Sequence, residues 1–486
     1  MLMPAPAPPD SPRARQIRHY ARSRAWCEWE EFDSRTAQVH TDLGQMPDMG
    51  KPVSQGAARP PPWPPFHLLS IPGISAHQQR QCAASWLDSR MPPEHDARTA
   101  AISTFSTPAR PRQPGAPLRI AYLSSDFHQH ATALLMIEML EAHDGTRFEL
   151  HAYSHGALDD SPMRHRLLRA FHHFHDIREL SDEQAATAIH ADGIDILVDL
   201  KGYTAGSRTM LLSWRPAPIQ VSFLGYPGTL GRDFVDYLVS DRFVTPHAAQ
   251  PDYTEALACM PHSYQPHGRA SLPPGQGGPT RSDVGLPEGA LVLSCFNQAW
   301  KFTPQVFDIW CRVMRAAPHS VLWLLQCDQA EGNLRQEALA RGISPHRLVF
   351  APDMQQEAHL ARLPLADLVL DTWPYNAHTT ASDALAAGVP LITCAGDTFA
   401  SRVAGSLLQA VGLPELITST PADYEALALA LATDADRLQA LRAKLGGLIC
   451  NAALFDVPGY TQDLEALFDL MWARHRAGLP PAALDL

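Results

Sequence analysis

The 486-residue sequence has no apolar run near the ~20 residues that a membrane helix needs. Its opening stretch, MLMPAPAPPDSPRARQ, lacks the apolar core of a secretory signal. A cytoplasmic protein with no membrane partner is expected. The eight cysteines (Cys27, Cys82, Cys259, Cys295, Cys311, Cys327, Cys394 and Cys450) include no CxxC pair. Several lie in apolar runs, which fits buried reduced thiols better than a disulfide framework or a zinc site. Basic residues are in deficit: 39 Lys and Arg against 51 Asp and Glu give a formal charge of -12. That balance argues against nucleic acid as a partner, because a phosphate backbone needs a basic face. No repeat of roughly 34 residues, the tetratricopeptide period, is found in the first part of the chain. An Asp-x-Asp pair of the kind that grips a metal–diphosphate follows no strand. The one such pair, Asp434 and Asp436, lies between helices and reads as a cap. No metal and no cofactor are expected.

The length calls for two or three domains. Residues 1–116 stand apart as an extension, with Pro-rich pieces at 3–12, 59–65 and 108–117 around helical stretches at 17–39 and 76–87. Proline cannot sit inside a helix, so these pieces read as extended connectors. From Leu118 strand-like and helix-like segments alternate, the pattern of parallel βαβ units. Strands are expected at 118–123, 148–153, 194–200, 219–224 and 236–240, with helices at 132–142 and 182–191. An aperiodic stretch at 266–283 separates this half, 117–270, from a second half, 284–486. The second half predicts strands at 291–296, 320–325, 348–350, 367–371 and 391–394, and helices at 304–316, 331–341, 381–387 and 401–411. A mostly helical tail follows at about 423–474. Two α/β halves in sequence imply a ligand cleft at the carboxyl ends of their strands.

The motifs fall at those ends. Asp371 to Asp383, DTWPYNAHTTASD, leaves a strand and opens a helix. Thr380 can cap that helix, and Asp383 can close a capping box. The free N–H groups of its first turn suit a diphosphate, and His378, Thr379 and Thr380 offer further donors. An ordinary capped helix reads equally well. Arg402, in a second helix start, either reaches a phosphate or pairs with an acid. Lys301, in FNQAWK, sits where a cation would stabilise charge building on a leaving phosphate, although most lysines are solvated surface groups. Asp126 and His130, in SSDFHQH, lie where a side chain could take a proton from a hydroxyl facing Lys301 across the cleft. His128 and His130 lack a third partner with metal-ligand spacing. His172, His173 and His175 read as surface residues. The glycines of GYTAGSR (202–208) and GYPGT (225–229) either let a ligand approach the backbone or form plain turns.

Together these residues resemble the catalytic region of the protein O-GlcNAc transferase and SPINDLY-like family, from about residue 118 to 467. RPAPIQVSFLGYPGT (215–229), FNQAWK and the run 366–383 carry the likeness. The resemblance implies a GT-B fold, two Rossmann-like domains facing a cleft, with an α-helical N-terminal extension and a helical C-terminal tail. It implies inverting, metal-independent transfer of N-acetylglucosamine from UDP-GlcNAc to Ser or Thr hydroxyls of protein acceptors. Position by position, Lys301 resembles the lysine that steadies the departing diphosphate. Gln298 resembles a uridine- or phosphate-contacting glutamine. His378, Thr379 and Thr380 resemble the diphosphate loop. Asp383 resembles the ribose-binding aspartate, and His359 the histidine near the uracil. Asp126 and His130 match positions proposed as base or as sugar and acceptor contacts. Thr204, Leu224 and Pro227 match sugar-pocket positions. Gln356 departs from a lysine of animal members, Phe66 stands in place of a second active-site histidine of animal members, and residues 1–116 resemble only the connector after the tetratricopeptide superhelix. GDP-fucose or UDP-glucose as donor, or a non-catalytic nucleotide-sugar-binding partner, remain the alternatives.

Overall fold

The computed structural model describes residues 11–45, 63–91, 115–268 and 278–486. Most of the Pro-rich pieces and the centre of the 266–283 boundary lie outside the described residues.

Among the described residues the first sheet holds eight strands. In chain order they are β1 (Leu118–Ser124), β2 (Phe148–Ser154), β3 (His173–Asp176), β4 (Ile196–Asp199), β5 (Ile219–Ser222), β6 (Tyr237–Asp241), β7 (Ala256–Met260) and β14 (Leu484–Asp485). They stand in the order β14-β7-β6-β5-β4-β1-β2-β3. The second sheet is β10-β9-β8-β11-β12-β13, from β8 (Leu291–Cys295), β9 (Ser320–Leu325), β10 (Leu348–Ala351), β11 (Leu368–Leu370), β12 (Leu391–Cys394) and β13 (Ile417–Thr418). The strand pairs are all parallel. Central strands such as β4 and β5 are buried on both faces, which is why they read as unbroken apolar runs.

Strand order reverses direction twice. In the first sheet the reversal falls between β4 and β1, and in the second between β8 and β11. Such switch points open a crevice at the carboxyl ends. The motifs that hold Asp126, Lys301, Asp371 and residues 202–208 sit on the loops that leave these four strands, and GYPGT and the Arg402 helix start follow the neighbouring β5 and β12.

Several elements depart from the sequence reading. The stretch 17–39 is two helices, α1 (Pro12–Ala25) and α2 (Phe32–Gly44), broken by a turn. Short α3 (Pro65–Leu68) and α4 (Ala76–Asp88) complete the extension. The histidines at 173 and 175 form the edge strand β3, and β3, β7, β13 and β14 were not expected. The tail also crosses back. After α5 (Ala131–Ala142), α6 (Pro162–Ala170), α7 (Asp182–Ala191), α8 (Thr209–Leu212), α9 (Pro304–Ala316), α10 (Asp328–Ala340), α11 (Gln356–Arg362), α12 (Thr379–Ala386), α13 (Val403–Val411), α14 (Pro421–Thr433) and α15 (Ala435–Leu448), the chain ends in α16 (Val457–Arg476) and β14. Glu465 of α16 accepts from His143 Nδ1 at 2.9 Å and from the Asp144 amide at 2.8 Å. β14 pairs with β7. The end of the 284–486 segment is therefore structurally part of the first half.

α9 buries Val306, Phe307, Ile309, Trp310, Val313 and Met314 along one face. Trp310 Nε1 donates to the Tyr424 hydroxyl at 3.2 Å, and that hydroxyl donates to the Asp371 carbonyl at 3.0 Å. Removing the indole leaves a cavity and an unpaired buried group. Trp310→Ala is expected to cost about 3–5 kcal/mol in urea unfolding, and Trp310→Phe clearly less.

Candidate active site

The second half builds its share of the site around a buried carboxylate. Asp371, just beyond β11, accepts from the amides of Thr372 (2.7 Å) and Ala377 (2.6 Å), from Thr393 Oγ1 (2.6 Å) and from Asn297 Nδ2 (3.2 Å). Burial pushes this carboxyl up to about 6, and the donors and Lys301 oppose the rise. The bonds draw residues 372–377 into a tight loop under the start of α12. Lys301 ends a short 3-10 turn after β8 (Ala299–Lys301). Its ammonium donates to the Asn376 carbonyl at 2.8 Å and lies 4.0 Å from the centroid of the Tyr375 ring. Only 8% of Lys301 is exposed, so it is no solvated surface lysine. Burial holds its ammonium down to about 8, against the pull of Asp371. The cation thus sits beside the helix start that the sequence singled out.

The capping box at that helix is absent. His378 occupies the cap position without a side-chain cap bond. Thr380 Oγ1 instead donates to Asn297 Oδ1 at 2.7 Å, and Asp383 accepts from His267 Nε2 at 3.1 Å. Long-range partners outcompete the local ones. The first amides bonded back to the His378 carbonyl are those of Ala381 and Ser382, which leaves the Thr379 and Thr380 amides at the helix mouth. His378 stacks on Tyr375 at 4.8 Å, and burial holds it far below the usual imidazole range. His359 packs edge-on to Phe296 at 5.2 Å, and its Nδ1 lies 2.7 Å from an Arg362 nitrogen. A small cavity is lined by Phe296, Asn297, His359, Ala377 and Thr380. Gln298 is exposed, and Gln356 is half-buried at the start of α11. Arg402 does not face the helix mouth. It donates to the carbonyls of Phe243 (2.6 Å) and Gly396 (2.9 Å), clamping the two halves together. Asp434 caps α15 through the Arg437 amide at 2.9 Å.

In the first half, Asp126 lies on the loop after β1. Its partner is Lys201, after β4, whose ammonium meets both carboxylate oxygens at 2.8 and 2.7 Å. Burial pushes Asp126 up. Lys201, His130 and the Lys201 and Ser125 hydrogen bonds outweigh this and hold it below the usual carboxylate range. His130 caps α5: its Nδ1 accepts from the Thr132 amide at 3.2 Å and lies 3.6 Å from Asp126. Burial lowers the imidazole, against Asp126. Thr204 donates to the Lys201 carbonyl at 2.8 Å. Leu224 holds a left-handed φ of 65°, strain of the kind kept at functional sites, and Pro227 is buried beside it. The glycines nearby serve packing. A Cβ on Gly225 would lie 1.9 Å from the Leu200 carbonyl oxygen, and one on Gly202 2.4 Å from Tyr226 Cβ. They press the loops after β4 and β5 together.

The extension reaches the same place. Arg24 of α1, buried, donates to the Trp300 carbonyl at 3.2 and 2.7 Å and to the Ser70 carbonyl at 3.1 Å. Phe66 packs against Trp300 at 5.8 Å and Tyr375 at 6.1 Å, joining an aromatic cluster with Tyr203 and Tyr226. Sequence reasoning missed Asp371, Asn297, Lys201, Arg24 and His267 as site residues. Two signals were present: an Asn directly after Phe296, and a Lys at a strand's carboxyl end like the one that drew attention to Lys301.

The glycosyl transferase family 41 model matches residues 58–269 and 278–464. The chain belongs to glycosyl transferase family 41. A relative from Arabidopsis thaliana, named "Probable UDP-N-acetylglucosamine--peptide N-acetylglucosaminyltransferase SEC", is 38% identical over 371 residues, covering 75% of this chain and 38% of its own. The Caenorhabditis elegans UDP-N-acetylglucosamine--peptide N-acetylglucosaminyltransferase is 31% identical over 480 residues, covering 76% of this chain and 42% of its own. The chain thus spans about two-fifths of the length of these curated relatives. A lysine-to-methionine mutant of the Thermobaculum terrenum O-GlcNAc transferase superposes with TM-score 0.77 at 28% identity, over 96% of this chain and 85% of that one. The family 41 chain has the GT-B-like arrangement of two facing α/β halves with helical extensions. Among the described residues no helix is long and apolar enough to cross a membrane.

Lys201→Met strands a buried carboxylate. It should cost about 3–5 kcal/mol of stability at neutral pH. The Asp126 pKa is depressed in the fold, so the pair's contribution is present above the ordinary carboxylate range and fades as pH falls through the folded value. The gap between wild type and variant should therefore narrow in acid unfolding titrations.

Proposed function

We propose that this chain transfers N-acetylglucosamine from UDP-GlcNAc to Ser and Thr hydroxyls of proteins, with inversion and without a metal ion at the diphosphate. The observation that carries this reading is the Lys301 ammonium, buried and 2.8 Å from the Asn376 carbonyl at the approach to α12. A diphosphate at the mouth of α12 would receive the Thr379 and Thr380 amides and the helix dipole. Lys301 would take up the charge released as the sugar leaves, the work a metal ion does in other sites. His359 and Asp383 would hold the nucleoside, with Gln298 and His378 beside the phosphates. Thr204, Leu224 and Pro227 would line the sugar pocket. The names of the Arabidopsis and Caenorhabditis relatives support the donor and the acceptor class.

The first half supplies the acceptor side. Asp126, held ionised by Lys201, is too weak a base to take a hydroxyl proton efficiently near neutral pH. Neutral His130 uses Nδ1 as an acceptor, so its proton rides on Nε2. In that tautomer its free ring nitrogen is a donor and not a base. Both residues then orient sugar and acceptor, and the hydroxyl proton passes to the departing diphosphate or to water.

Lys301→Met should lower kcat by about 10²–10³-fold or more while UDP still binds measurably. Normal turnover by the purified variant would overturn the assignment. In the wild type, kcat/KM reports groups of the free enzyme. It should fall as pH rises through about 8, where Lys301 loses its proton. Thermal shifts with UDP, GDP and their sugars identify the donor: UDP-GlcNAc should stabilise most. A larger shift with GDP-fucose would replace it.

A further inference from the structure

The far edge of the first sheet carries a group of side chains that the cleft does not use. β2 and β3 pair with His151 opposite His173 and Tyr153 opposite His175. Alternation along a strand places Glu149, His151, His173 and His175 on one face. Glu149 Oε1 lies 3.0 Å from His151 Nε2 and 3.2 Å from His173 Nε2. The two imidazoles are 4.5 Å apart between centroids. Atoms bound to a tetrahedral ion at ~2.0–2.1 Å lie roughly 3.3 Å from one another. The spacing on this sheet is close to that, and two imidazoles with a carboxylate suit Zn²⁺ among the common divalent ions.

We propose that Glu149, His151 and His173 bind a divalent transition-metal ion, Zn²⁺ in the first instance, through Glu149 Oε1, His151 Nε2 and His173 Nε2. The neighbouring groups fit that arrangement. With Nε2 on the ion, His151 carries its proton on Nδ1, which lies 3.5 Å from His175 Nε2. His175 stacks on Tyr153 at 4.6 Å and lies 3.8 Å from Asp192, which accepts from the Tyr153 hydroxyl at 2.6 Å. With Nε2 unprotonated, His175 can accept that Nδ1 proton, the kind of partner that metal-bound histidines keep. Arg119 approaches the other Glu149 oxygen at 3.5 Å and leaves Oε1 for the ion, although its charge weakens the affinity. The His173 side chain is 52% exposed and His151 5%, so the site is rooted in the sheet and open on one side. Water or an outside donor completes the tetrahedron. The ligands lie along the strands rather than at the carboxyl ends, so the ion staples the short edge strand β3 to β2 and takes no part in sugar transfer.

Calorimetric titration of the metal-stripped full chain with Zn²⁺ tests this, with Co²⁺ absorption as a second readout. One ion per chain should bind with micromolar affinity or tighter, raise the melting temperature, and give the visible spectrum of a tetrahedral Co²⁺ centre. His173→Ala, at an exposed position the fold tolerates, and Glu149→Gln should each weaken binding by at least about tenfold and abolish the Co²⁺ spectrum. Zn²⁺ binding equal in wild type and His173→Ala, or no binding to wild type, would overturn the proposal. Sugar transfer by His173→Ala should stay at the wild-type rate.

Discussion

The Asp371 carboxylate is the group on which the second half of the cleft is assembled. Four donors from four places in the sequence converge on it, and none is more than 3.2 Å away. A charge so deep in the protein is tolerated only when it is surrounded in this way. Its hydrogen bonds fold the loop after β11 so that a backbone carbonyl faces Lys301 and two helix amides face outward. The first half repeats the device with a different pair. Lys201 neutralises Asp126 between the loops after β1 and β4, the two strands at that sheet's switch point. In each half one buried ion pair or near-pair fixes the loops that a substrate would touch.

The two cations do different work. Lys301 faces a carbonyl and an aromatic ring, with its nearest carboxylate already occupied by other donors. It is therefore an incompletely satisfied charge, able to accept a new anionic partner. Lys201 is fully matched by both oxygens of Asp126 and has little left to offer. Net interaction, not the mere presence of a lysine at a strand end, separates a group that can act on a ligand from one that holds a loop in shape.

Elements with strong periodicity were readable from the sequence. Helices at 182–191 and 304–316 and strands at 320–325 and 391–394 match the structure end to end. β3 escaped because its His-Phe-His-Asp run is exposed at an edge and carries no apolar signature. β14 is two residues long and is a strand only because β7 lies beside it. Thr380 and Asp383 have the spacing of a capping box, yet each is captured by a residue more than eighty positions away in sequence. Lys301 was legible because its motif is distinctive. Asp371 opens the separate DTWPYNAHTTASD motif, but its role depends on Thr393 and Asn297, whose approach only the folded sheet reveals.

The return of the chain's last helix and strand to the first sheet has a consequence for biosynthesis. β7 waits for β14, and α5 waits for α16, until the whole second half has emerged from the ribosome. The first half leaves the ribosome with an open sheet edge and an uncovered helix face, surfaces that invite pairing with other chains. Cutting the gene between the halves would preserve that exposed state rather than yield two independent folding units.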